Sequence, residues 1–129
     1  MGSEGEAGPV AVRAIRGAVQ LDADEREHML ASVAELVGEI LARNELTVDD
    51  LISIVFTATP DLHCEFPAVG ARDIGITDVP LLCAAEIDVA GAMPRVIRTL
   101  VHAETDRPRG DVQHVYLRGA VALRKDIAQ

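Results

Sequence analysis

A single amphipathic stripe constrains this chain most. Leu30, Val33, Leu36, Val37, Ile40 and Leu41 recur at three- and four-residue spacing. That spacing describes a helix with one buried face. Asp22 or Asp24 is placed to cap it, Glu25 and Glu27 stand in its first turn, and Arg43-Asn44 ends it. Such a stripe must be covered by another layer. Leu51 to Ala58 is mostly apolar and rich in β-branched residues, so it reads as a buried strand. The 129 residues include only two Phe, one Tyr and no Trp, so aliphatic side chains and alanine must build the core.

Residues 1–10, acidic and glycine-rich, read as a flexible tail, and residues 11–129 as one domain. Val10 to Ile15 is expected to form a first strand that ends in a turn at Arg16-Gly17. Thr47-Val48-Asp49-Asp50 has the form of a capping box on a short helical turn. Pro60-Asp61 breaks the strand before it, and Pro67 to Gly75 fits a short helix with proline in first position. Val79 to Ala84 is the next strand. After Gly91, the apolar set Met93, Val96, Ile97, Leu100 and Val101 predicts a helix over Ala92 to Glu104. Pro108 to Asp111 is a turn. Val112 to Leu117 and Ala120 to Arg124 are expected as strands of a hairpin closed by Arg118-Gly119. Strands separated by helices favour parallel pairs and the hairpin adds an antiparallel one, so the class is α/β with a mixed sheet.

The formal charge of −9 opposes nucleic acid and anionic membranes as partners. No apolar run is long enough to span a bilayer, and the N-terminus lacks a secretory signal, so a cytoplasmic protein is expected. Cys64 and Cys83 are expected as free thiols. There is no paired metal-ligand spacing, no phosphate-binding loop and no dinucleotide fingerprint, so neither metal nor cofactor is expected.

Against that acidic background the arginines at element ends stand out. Arg16 beside Gly17, Arg72 after the proline-broken segment, and Arg98 make a set suited to a small polycarboxylate, because guanidinium reads carboxylate through a two-donor fork. Each taken alone is equally an ordinary surface charge. Glu86 follows an apolar strand, where α/β folds place ligand contacts, and Asp88 is an equal candidate by position.

Four stretches together carry more than any one residue. They are Arg13-Ala14-Ile15-Arg16-Gly17-Ala18, then Ala58-Thr59-Pro60-Asp61-Leu62-His63 with Phe66-Pro67-Ala68. Pro80 to Cys83 with Glu86-Ile87-Asp88-Val89 follows, and then His114-Val115-Tyr116-Leu117 with Leu123-Arg124. Their order and spacing resemble the trimeric, α/β-type monofunctional chorismate mutases, almost collinearly from Val12 to Lys125.

The resemblance implies a homotrimeric pseudo-barrel with substrate sites between subunits and the Claisen rearrangement of chorismate to prephenate, without cofactor or metal. It implies Arg16, Cys83, Glu86, Arg98 and Tyr116 as pocket residues of one subunit, with Phe66 and Arg72 from its neighbour. Ala68 lies in a matching stretch and is a further substrate contact by the same resemblance. Leu123 fits an apolar wall and Arg124 a mobile basic position. In the implied roles, Arg98 faces the ether oxygen, Arg16 holds the enolpyruvyl carboxylate, Glu86 and Cys83 meet the ring hydroxyl, and Tyr116 donates to a carboxylate. Leu82 is a further substrate contact by the resemblance, although threonine is frequent there, and the chain also departs from the family at Val69, where lysine is frequent. The loop between Arg72 and Val79 is one residue short. Two other readings remain open: a trimeric enzyme like the enamine/imine deaminases, and a non-catalytic binder of a small carboxylate.

Overall fold

The computed structural model describes residues 9–126, with side chains through Leu123; residues 1–8 of the expected tail lie outside this range. Five strands form one mixed sheet: β1 (Ala11–Gln20), β2 (Leu51–Ala58), β3 (Leu81–Ala85), β4 (Val96–Thr105) and β5 (Val115–Leu117). Helices α1 (Arg26–Arg43) and α2 (Ala68–Asp73) lie between β1 and β2 and between β2 and β3. The strand order is β3-β2-β4-β1-β5. β4 runs antiparallel to both β1 and β2, while β3 is parallel to β2 and β5 parallel to β1. β1, α1 and β2 thus form a split βαβ unit whose gap β4 fills.

The predicted helix over 92–104 is instead this central strand. Its core side carries Ile97, Thr99, Val101 and Ala103, all buried, and its other side carries Arg98, Leu100, His102 and Glu104. The period is two, not 3.6. Leu100, 37% exposed on the open face, supplied the apolar residue that completed a false helical stripe. Val96, Ile97, Thr99 and Val101 are β-branched, and two flanking strands satisfy the backbone, so the sheet wins.

The expected turn at Arg16-Gly17 does not form, because β1 continues to Gln20. Gly17 serves close approach instead. A Cβ there would lie 2.8 Å from Ile40 Cδ1 and 3.0 Å from Thr99 Cγ2. Its absence lets α1 settle onto the sheet.

Neither Asp22 nor Asp24 caps α1. Glu25 does, accepting from the Glu27 and His28 amides at 2.9 Å each. Asp24 faces the segment after β2, where its carboxylate accepts from the amides of His63 and Cys64. Asn44 ends the helix as expected, and its buried amide exchanges hydrogen bonds with the Gln113 backbone. The capping box at Thr47 forms, with the Thr47 amide donating to Asp50 at 2.8 Å. The C-terminal hairpin does not form. After β5 the chain turns at Arg118 and continues as 3-10 helix to Asp126, so among the described residues β5 pairs only with β1.

One face of the sheet packs on the two helices through Ile15, Val19, Ile54, Phe56, Ile97 and Val101, against Val33, Leu36, Val37 and Ile40 of α1. Neither α1 nor α2 covers the other face, and among the described residues only the C-terminal 3-10 segment packs on part of it. This face holds a small cluster of Ala18, Val96, Tyr116 and Ala120, flanked by Leu123 and Met93.

Candidate active site

The uncovered face carries the charged residues. Thr57 and Ala18 stand opposite Arg98 on either side of β4, and Arg16 stands opposite Leu100. Arg16 and Arg98 are therefore diagonal neighbours on one face, separated by about 7–8 Å at the backbone. They line a cavity of about 440 Å3 with Val55, Thr57, Leu100, Tyr116 and Leu123. That volume suits a small molecule.

Glu86 reaches the cavity's edge from the first residue after β3. Its amide donates to the Ala58 carbonyl at 2.9 Å, which fixes the backbone. Its Oε2 accepts from the Thr57 hydroxyl at 2.6 Å and from Arg98 Nε at 3.0 Å. The Glu86 side chain is only 15% exposed and that of Arg98 44%. The pair is charge-assisted and geometrically fixed. Only Nε is engaged, so both Nη groups of Arg98 have no partner among the described residues. The Arg16 guanidinium likewise has no hydrogen-bond or ion-pair partner among them. Two guanidinium groups against one carboxylate leave the cavity cationic in a chain of charge −9.

Arg16 is held through its backbone. Its amide donates to His114 Nδ1 at 2.9 Å, which requires an unprotonated Nδ1. Burial lowers the His114 pKa below its ordinary value, and the Arg16 charge adds to this. The folded protein therefore takes up this proton less readily than the unfolded chain. Its contribution to stability is complete above pH 6.5 and declines as pH falls below that value. Melting temperatures between pH 7.5 and 5.5 are expected to drop more for the wild type than for His114→Asn, which keeps an acceptor that does not titrate. Equal slopes would remove His114 from this role.

The structure brings Arg16, Glu86, Arg98, Tyr116 and Leu123 together. It does not bring the other candidates to them within one chain. Cys83, expected beside Glu86 from the same subunit, pairs across the sheet with Phe56 and faces the helix side. Alternation along β3 puts it there, three residues before Glu86. It borders a separate hollow with Phe66, Pro67 and Cys64. Phe66 is 69% exposed, Ala68 is buried, and Arg72 is exposed on α2. Leu82 stands opposite Val55 but is 62% exposed and outside the cavity lining. The Arg124 side chain lies outside the described residues. Asp88 takes no part in the Arg98 pair and lines a neighbouring hollow.

Thr57 and His114, which hold Glu86 and Arg16, were not singled out from sequence as site residues. The signal for Thr57 was present: Ser53, Val55 and Thr57 alternate with the core residues Ile54 and Phe56. Cys64 is a poor nucleophile. Burial, with Asp24 beside it, pushes its thiol up to about 11. Among the described residues no three His, Cys, Asp or Glu side chains gather as a metal site, and no helix is long and apolar enough to cross a membrane.

Comparison with known proteins meets this geometry. Chorismate mutase AroH of Thermus thermophilus is 45% identical over 117 residues, spanning 90% of this chain and 96% of that protein. Chorismate mutase AroH of Bacillus subtilis is 36% identical over 118 residues, spanning 91% and 93%. The solved chorismate mutase from Clostridium thermocellum superposes with a TM-score of 0.83 at 42% identity, covering 84% of this chain and 97% of that one. The sequence model of the family Chorismate mutase type I matches residues 12–127, and the chain belongs to that family.

Proposed function

We propose that the Arg16–Arg98 cavity is the chorismate site and that a neighbouring subunit completes it. The activity itself follows from the family: the protein is a chorismate mutase, an isomerase, which sets aside the deaminase-like and non-catalytic readings. The reaction breaks an ether C–O bond and forms a C–C bond within one molecule, so it needs no co-reactant. What remains for the protein is to hold the substrate compact and to stabilise charge.

One observation carries the site reading: two guanidinium groups and Tyr116 converge on one cavity, at whose edge Arg98 is paired with the Glu86 carboxylate. In this reading Arg16 holds a substrate carboxylate and Tyr116 donates to one. C–O cleavage running ahead of C–C bonding leaves negative charge on the ether oxygen, which Arg98 opposes. Glu86 orients Arg98 and meets the ring hydroxyl. Leu123 excludes water.

The shared site has separate support. The uncovered sheet face leaves Val12, Leu82 and Leu100 exposed, and an apolar face of this kind marks an interface. Phe66, Cys83 and Arg72 do not reach their own chain's cavity. We therefore assign all three to the neighbour, moving Cys83 from the Glu86 side to the Phe66 side. Ala68 acts there through the position of α2. A cytoplasmic setting in aromatic amino-acid synthesis suits the two free thiols.

Light scattering on the purified protein tests the assembly. A mass about three times the 13.8 kDa chain is expected at concentrations where the enzyme turns over. A fully active monomer would sink the shared site.

A further inference from the structure

We propose that Arg118 is a positioning residue, a latch that ties the C-terminal segment to α1 and so holds the Leu123 wall of the cavity in place. The inference rests on the reading of that cavity as the substrate site.

The first observation is backbone strain. Arg118 has φ +55, in the left-handed region that favours glycine. Its neighbour Gly119 is a glycine for a different reason, since any Cβ there would run into the Gln20 side chain. Gln20 is itself fixed, donating to the Pro94 carbonyl at 3.1 Å. The chain thus accepts a strained arginine where glycine would relax the backbone. A conformation of this kind persists when its surroundings over-determine it.

The second observation is what the side chain does. Arg118 Nη1 donates to Ser32 Oγ at 2.8 Å, and Nη2 donates to Glu35 Oε1 at 2.8 Å. Ser32 is fully buried, and it lies three residues before Glu35 on α1, so the two share one helix face. A guanidinium spans both acceptors, which an ammonium does not do with fixed geometry.

The third observation is where the latch sits. It lies between Tyr116, two residues earlier, and Leu123, five residues later, both of which line the cavity. Ala120, fully buried among Ala18, Val96 and Tyr116, plugs the segment to the open face. With Arg118 and Ala120 both held, the 3-10 turns that carry Leu123 are anchored at their start. Without the latch the segment samples other paths. Substrate affinity then falls by the fraction of time the wall is absent.

Strain and latch pull in opposite directions, and this supplies the test. Arg118→Gly relaxes the backbone and removes both contacts. Its melting temperature is expected to equal or exceed that of Arg118→Ala. Its KM for chorismate is expected to rise about 3–10-fold with kcat nearly unchanged, the range for a partly exposed charged contact. Arg118→Glu should raise KM further by facing Glu35, and adding Glu35→Arg should recover much of the loss. An unchanged KM in Arg118→Gly, a kcat loss without a KM change, failure of that variant to fold, or no recovery in the folded double variant would each overturn the latch. These outcomes are separable from failure of the site reading, in which replacing Arg98 would leave turnover intact.

Discussion

Replacing Arg98 with citrulline is expected to lower kcat by about 100- to 1000-fold, the loss seen when one preorganised donor to a developing oxyanion is removed. Citrulline keeps the side chain's length, its planarity and the Nε–H that Glu86 accepts, and removes the charge. The expectation rests on geometry. Arg98 stands on the central strand, bonded through its backbone to strands on both sides, and Glu86 fixes its Nε while Thr57 fixes Glu86. The remaining donors are thus set in place before substrate arrives. A fixed cation lowers the barrier where charge grows between ground and transition state. Binding should suffer less, because Arg16 stays to hold a carboxylate. The measurement is kcat and KM by continuous ultraviolet loss of chorismate. An unchanged kcat with a raised KM would make Arg98 a binding group only and leave the chemistry to another residue.

The expected mixed sheet, the α1 stripe, the strand Leu51–Ala58 and the short helix after Pro67 all appear, because each is stated locally by period, capping or proline. The errors came from tertiary effects. Residues 96–105 form the middle strand only because β1 and β2 leave a gap for them, and Leu100 faces outward as an apolar residue. Gly17 looked like a turn, yet it marks the close approach of α1. The lost hairpin has the same origin, since β5 pairs with the distant β1 and not with the segment that follows it. Arg16, Glu86 and Arg98 were legible as candidates, but the pairing of Arg98 with Glu86 and the placement of Arg16 on the same sheet face were not. A helix would have aimed Arg98 by a 3.6-residue period, whereas the strand sets it opposite Thr57 and Ala18. Cys83 failed for the same reason: an odd separation from Glu86 places it on the far face of the strand.

A mixture of two inactive variants is expected to regain activity if the site is shared. In Arg98→Ala the chain loses one of its own cavity's two guanidinium groups. In Arg72→Ala it loses a guanidinium that is exposed on α2 and lines no part of that cavity. If Arg72 serves the neighbour's site, both homotrimers are impaired by different deletions. After subunit exchange at equal concentrations, an interface pairs an intact Arg98 with an intact Arg72 in about one arrangement out of four. Recovery to about a quarter of wild-type turnover is then the ceiling. The same mixing with Phe66→Ala in place of Arg72→Ala should behave alike, because Phe66 is also outside its own chain's cavity. Mixing Arg98→Ala with Arg16→Ala should recover nothing, since both residues line one cavity in one chain. Exchange itself is checked by mass spectrometry of tagged chains. With exchange demonstrated, no gain in the first mixture would place Arg72 outside the site. A gain in the Arg98 and Arg16 mixture would mean that those two residues serve different sites, against the geometry of the sheet.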